Sequence, residues 1–226
     1  REALQEWERE NNITQKANML NNMGVLANLQ GHYLQAKEHF QRALEFARES
    51  GYQRVEGFIL TSLGDLYADL EAYTAVKENY TQSQKISKEI GDQYLHNYLN
   101  ITQASLARKL NKHVRAHHLL DDAEPYIKES GSSYERGLFN LERGKLYLSE
   151  DQTQKSIPLL EAAVRDFENG GQRIEAAQAH LHLAQAHDFE ENRESSIHHI
   201  RKAFHTSSVL ESLHPLIHSG REVKSA

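Results

Sequence analysis

The sequence contains no cysteine, which excludes disulfides, thiolate metal sites and cysteine nucleophiles. Proline occurs only three times in 226 residues. Strand-type runs of Val, Ile and Thr are missing, and no apolar stretch approaches the roughly 20 residues of a membrane span. No signal-peptide pattern opens the chain, so a cytoplasmic location is expected. The lack of an initial Met points to an excised fragment. A basic excess is also absent: the formal charge is −6, which argues against direct nucleic-acid binding by this segment. What is present is a polar balance, 38% hydrophobic and 26% charged residues. That balance suits a thin array of small units better than one thick core.

Such an array is legible as a period of 40 residues. Gly51, Gly91, Gly131 and Gly171 recur at that spacing. Gly24, Gly64, Ala104, Gly144 and Ala184 form a small-residue column, followed by Leu26, Leu66, Leu106, Leu146 and Ala186. Ala36, Val76, Ala116, Ser156 and Ser196 form another, followed by Phe40, Tyr80, Leu120, Leu160 and Ile200. Ala43, Ser83, Ala123, Ala163 and Ala203 close the set. Steps of three and four inside a unit place these residues on single helix faces. The pattern predicts A helices near 14–30, 54–70, 93–110, 133–149 and 173–189, and B helices near 33–49, 73–89, 113–129, 153–169 and 193–210. Small residues mark close helix crossings, with large partners beside them. The recurrent glycine is expected to close the last turn of each B helix in the left-handed conformation.

These columns resemble the tetratricopeptide repeat, whose A helix carries W-x2-L-G-x2-Y and whose B helix carries A-x3-F-x2-A. Leu60, Leu63, Gly64 and Tyr67 with Val76, Tyr80 and Ser83 match best; Leu20, Met23 and Gly24 with Ala36, Phe40 and Ala43 follow. The resemblance implies an all-α, right-handed superhelical solenoid of antiparallel helix pairs over residues 1–226. Five repeats are expected, at 17–56, 57–96, 97–136, 137–176 and 177–211. "ALQEWERENN" aligns with "ALEFARESGY" one period later, so residues 1–11 are expected to be the B helix of a truncated unit. Residues 212–226, with Pro215, are expected to form a C-terminal cap or a partial unit. Units of this length resemble the arrays of bacterial signalling and transcription regulators of the maltose-regulon activator type.

In that pattern the ligand groove is lined by A-helix residues. The resemblance therefore nominates Asn21, Phe58, Thr61, Asp65, Tyr98, Ile101, Arg108, Leu138, Leu141, Lys145 and Leu181. Their apolar members suggest a groove for a peptide or partner helix. The competing account rotates the third and fourth A helices, turning these residues inward and Asn100, Gln103, Asn140 and Arg143 outward. The carboxylate clamp of some tetratricopeptide domains is not supported, because Thr61 and Ile101 stand where amides or cations are needed. Fourteen histidines occur, but His180 and His187 occupy packing columns, which favours structural roles over a metal site. No phosphate loop, nucleophile elbow or zinc-protease motif is found. The expectation is a noncatalytic domain without cofactors that binds a protein or peptide, with a small effector as a further option. No membrane partner is expected, and homo-oligomers through exposed repeat ends are open. A constitutive scaffold, or substrate docking for a catalytic domain elsewhere, are the alternatives.

Overall fold

The computed structural model describes residues 2–208. Among them the chain forms α1 (Glu2–Leu29), α2 (Tyr33–Ser50), α3 (Gln53–Asp69), α4 (Tyr73–Glu89), α5 (Gln93–Lys109), α6 (His113–Ser130), α7 (Ser133–Leu148), α8 (Thr153–Gly170), α9 (Arg173–Phe189) and α10 (Arg193–Ser208). No strand occurs among the described residues. The fold class is all-α, of the helical-repeat solenoid kind. From α2 to α10, each helix begins within one residue of the position expected from the columns. The outlier is α1, which runs unbroken through Asn11 and Asn12. Asn11 stands in the glycine column, and without glycine the backbone stays helical where a joint was expected. The expected cap at 212–226 lies outside the described residues.

Each A–B turn is closed by the same device. Gly31, Glu71, Asn111, Asp151 and Glu191 all have φ between 55° and 77°. The next N–H in each case donates to the carbonyl five residues back, as His32 to Ala27, Ala72 to Tyr67 and Asn192 to His187. This pairing satisfies a carbonyl that the helix end leaves open. Only one of the five residues is glycine, so the turn column is invisible to a search for glycine.

The B–A joints are less uniform than expected. Gly51, Gly91 and Gly171 are left-handed, with φ of 66° to 75°. Gly131 is not: its φ of −64° and ψ of 135° are extended backbone open to any residue. There the chain leaves α6 directly into a capping box. Ser132 Oγ accepts from the Glu135 N–H at 3.3 Å, and Glu135 Oε2 accepts from the Ser132 N–H at 2.8 Å. Two open donors at the start of α7 are thereby satisfied.

The chain forms two compact units, Arg1–Leu99 and Asn100–Ala226, with the division falling inside α5. In the first, Ala17, Ala27, Ala36, Phe40, Ala43 and Ala47 of α1 and α2 share a core with Val55, Ile59, Leu63 and Leu66 of α3. In the second, Ala104, Ala116, Leu120 and Ile127 pack with Phe139 and Leu146, while Leu160, Val164 and Phe167 pack with Ala179, Leu183 and Ala186. The small-residue column explains itself here. A Cβ at Gly24 would sit 2.5 Å from the Phe40 ring, and one at Gly144 would sit 2.8 Å from Leu160. In the third repeat the same column holds Ala104, which shares a core with Leu120.

Candidate functional site

In the first unit the nominated residues gather on α3 and the opening turns of α5. Phe58 lies 5.6 Å from the Tyr94 ring and 5.7 Å from the Tyr98 ring, centroid to centroid. Arg54 sits over both Phe58 and Tyr94 at 5.7 and 5.6 Å, and its Nε meets Asp92 Oδ2 at 2.5 Å. Asp92 also caps α5, accepting from the Leu95 N–H at 2.9 Å. The result is a half-buried patch of three aromatic rings and a neutralised guanidinium. Arg54 and Tyr94 were not nominated by the sequence. The signal for both is their place one helical turn before Phe58 and Tyr98.

The neighbouring polar residues are structural. Thr61 is buried, its hydroxyl within 3.0 Å of the Gly57 carbonyl and 2.9 Å of the Ser83 hydroxyl. Its hydroxyl is engaged within the α3–α4 packing. Asp65 accepts a 2.6 Å hydrogen bond from the Tyr80 hydroxyl. Burial of Tyr80 and then the Asp65 charge push the phenol pKa well up, so the proton stays in this bond. Asn21 is half-buried on α1.

In the second unit the nominated residues divide. Ile101 and Leu141 are buried in the cores around α5, α7 and α9, and Leu138 packs half-buried against them. Leu181 is half-buried against Ala177 and Ala203. An exposed apolar groove is therefore not formed by these residues, because long A-helix side chains reach across to the neighbouring helix. The inward turn of Ile101 and Leu141 is what the rotated-helix account expects, but its outward half is not met by all four polar residues. Asn100 and Arg143 are buried, at 4% and 6% exposure, instead of turning outward.

Burial of these polar side chains has specific partners. Arg108 Nε lies 2.6 Å from Glu142 Oε1, and Lys145 Nζ lies 3.4 Å from Glu142 Oε2. All three side chains are at most 12% exposed. Arg143 points elsewhere, to Asp121 at 2.7 Å and Glu124 at 3.4 Å, with its guanidinium 5.2 Å from the Phe139 ring. Arg108 and Lys145, nominated as groove cations, are thus committed to a buried carboxylate.

The histidines converge between α9 and α10. His180 Nδ1 and His199 Nδ1 are 3.0 Å apart, so one donates and the other accepts. His187 stacks on His199 at 5.4 Å, His198 meets it edge-on at 5.3 Å, and Glu168 approaches His180 at 3.4 Å. Among the described residues no group of His, Asp and Glu is arranged to hold a metal ion. Burial lowers the pKa of both histidines, that of His199 to about 4, with the neighbouring histidines and Lys202 adding to the shift and Glu168 opposing it at His180. The ordinary value of 6.5 applies to the unfolded chain, which therefore binds more protons than the folded chain between those limits. The contribution of His199 is present in full above 6.5 and is lost as pH falls toward about 4, and that of His180 is lost in the same direction. Thermal melts across this window should show a falling midpoint in the wild type and a flatter profile in His199→Leu.

Residues 15–89 match the tetratricopeptide repeat family. No curated protein matches the chain significantly in sequence. Among solved structures, the chain is similar to the crystal structure of BtubC (BKLC) from P. vanneervenii, with a TM-score of 0.61 and 18% identity. The similarity covers 88% of this chain and 83% of that one, and at this identity it speaks for the fold. Helical repeats of this kind typically serve as protein–protein interaction modules. No described helix is long and apolar enough to cross a membrane.

Proposed function

We propose that this chain is a noncatalytic recognition domain that binds a protein or peptide on the A-helix face of its first unit. The supporting observation is the Arg54–Phe58–Tyr94–Tyr98 patch, whose rings are held in place yet stay half-buried at the surface. Aromatic and arginine side chains anchored in this way are the residues that dominate binding energy at interfaces. Arg54 is already neutralised by Asp92, so the patch suits an apolar or aromatic anchor side chain better than a carboxylate. The wider setting we infer is a larger bacterial signalling or transcription regulator. That part rests on the 40-residue period, and a flanking nucleotide-binding loop with a helix-turn-helix would support it.

The test is selection of a displayed random-peptide library on the chain, followed by fluorescence anisotropy with the selected peptides. Phe58→Ala and Tyr98→Ala are expected to weaken binding by about tenfold or more each, with unchanged circular dichroism. Selected peptides that bind both variants as tightly as wild type would overturn the assignment, as would the recovery of no binder.

A further inference from the structure

The Arg54–Asp92 pair flanks the aromatic patch of the first unit. Asp92 uses both carboxylate oxygens: Oδ1 accepts from the Leu95 N–H at 2.9 Å, and Oδ2 faces Arg54 Nε at 2.5 Å. Its side chain is 14% exposed, whereas that of Arg54 is 44% exposed. Held at two points, the carboxylate stays beside the guanidinium when a ligand arrives. The guanidinium leans on the Phe58 and Tyr94 rings and turns its outer part to solvent.

Capping does not by itself call for a charge at position 92. One period earlier the column holds Tyr52 and two periods later Gln172, and neither caps its helix through its side chain. Ser132 caps α7 with an uncharged hydroxyl. Of these four residues only Asp92 carries a charge, and it is also the one that faces an arginine. An ion pair as exposed as this one adds little to stability. Its larger consequence is electrostatic. A lone guanidinium is the side chain best suited to take a carboxylate. With Asp92 in place, an incoming carboxylate meets an arginine whose charge is cancelled, and it is repelled by Asp92 itself. A neutral apolar segment incurs no such penalty, so the pair discriminates by rejecting one class of partner.

We infer that Asp92 determines the charge class of the partner, confining the patch to segments whose apolar or aromatic anchor has no acidic neighbour. This specifies the ligand of the recognition site proposed above and rests on that reading.

Asp92→Asn tests it, because asparagine removes the charge and remains a good helix cap; thermal melts check that the variant is folded. Displayed peptide libraries selected separately on the wild type and on Asp92→Asn should diverge. Peptides from the wild type should lack Asp and Glu beside the anchor, and those from the variant should be enriched in them. Fluorescence anisotropy then compares one wild-type-selected peptide carrying either Gln or Glu beside its anchor. The affinity ratio should move toward the Glu form by about tenfold in Asp92→Asn. That shift should shrink at high salt and largely disappear when Arg54→Gln is added. A purely structural role for Asp92 would weaken both peptides together and leave the ratio unchanged. An unchanged ratio, or wild-type peptides rich in acidic residues, overturns this inference and leaves the Phe58 patch standing as the binding site. Recovery of no binder on either protein overturns the recognition reading, and this inference with it.

Discussion

Glu142→Ala is expected to destabilise the second unit by about 3–5 kcal/mol, the range for breaking a buried ion pair by removing one partner. The carboxylate is shared between Arg108 at 2.6 Å and Lys145 at 3.4 Å, and removing it takes from two cations, each at most 12% exposed, the charge they face. Glu142→Gln keeps the shape and removes the charge, so it separates electrostatics from packing; it should lose most of the same stability. Replacing the trio together, as Arg108→Met, Glu142→Leu and Lys145→Met, should recover much of the loss, since apolar packing often equals a buried ion pair. Urea denaturation followed by circular dichroism measures all three. A loss below about 1 kcal/mol for Glu142→Ala would mean that water reaches the trio and screens it.

The second large effect is expected at Gly64. A Cβ there would collide with the edge of the Tyr80 ring, whose movement is restrained by the 2.6 Å hydrogen bond from its hydroxyl to Asp65. Overpacking of this kind costs about 1–3 kcal/mol, while the better helix propensity of alanine returns up to about 1 kcal/mol. Gly64→Ala should therefore destabilise on balance. The third repeat supplies the compensating pair, Ala104 with Leu120. In a Tyr80→Leu background the penalty of Gly64→Ala should largely vanish, giving a coupling of about 1 kcal/mol or more in a double-mutant cycle. Equal penalties in both backgrounds would show that the ring is not what the glycine avoids.

Much of the architecture was legible because its causes are local. Apolar residues at steps of three and four, and polar turns between them, define helices whatever surrounds them. Their recurrence at 40 residues then marks the units. The left-handed turn residues Glu71, Asp151 and Glu191 were not legible, since backbone hydrogen bonds impose that conformation on residues that do not prefer it. Gly131 misled in the opposite sense, as a glycine in the expected column without the expected conformation. Asn11 showed the same limit, because the 40-residue spacing without the terminating residue did not interrupt α1.

The candidate site was legible only in part. Phe58 and Tyr98 lie on A helices, as the spacing predicts, and Arg54 and Tyr94 stand one helical turn before them, a neighbour relation that the sequence reading did not draw. Whether a residue on an A helix meets a ligand or a neighbouring helix was decided by tertiary structure. Thr61, Ile101 and Leu141 are buried because helices distant in sequence close over them. Arg108 and Lys145 are spent on Glu142 for the same reason, although nothing in the spacing of 108 and 142 announces a pair. Period and helix are properties of the chain read along its length. Burial and ion pairing depend on which side chains from other helices fill the space across a crossing, and that is settled only when the repeats stack.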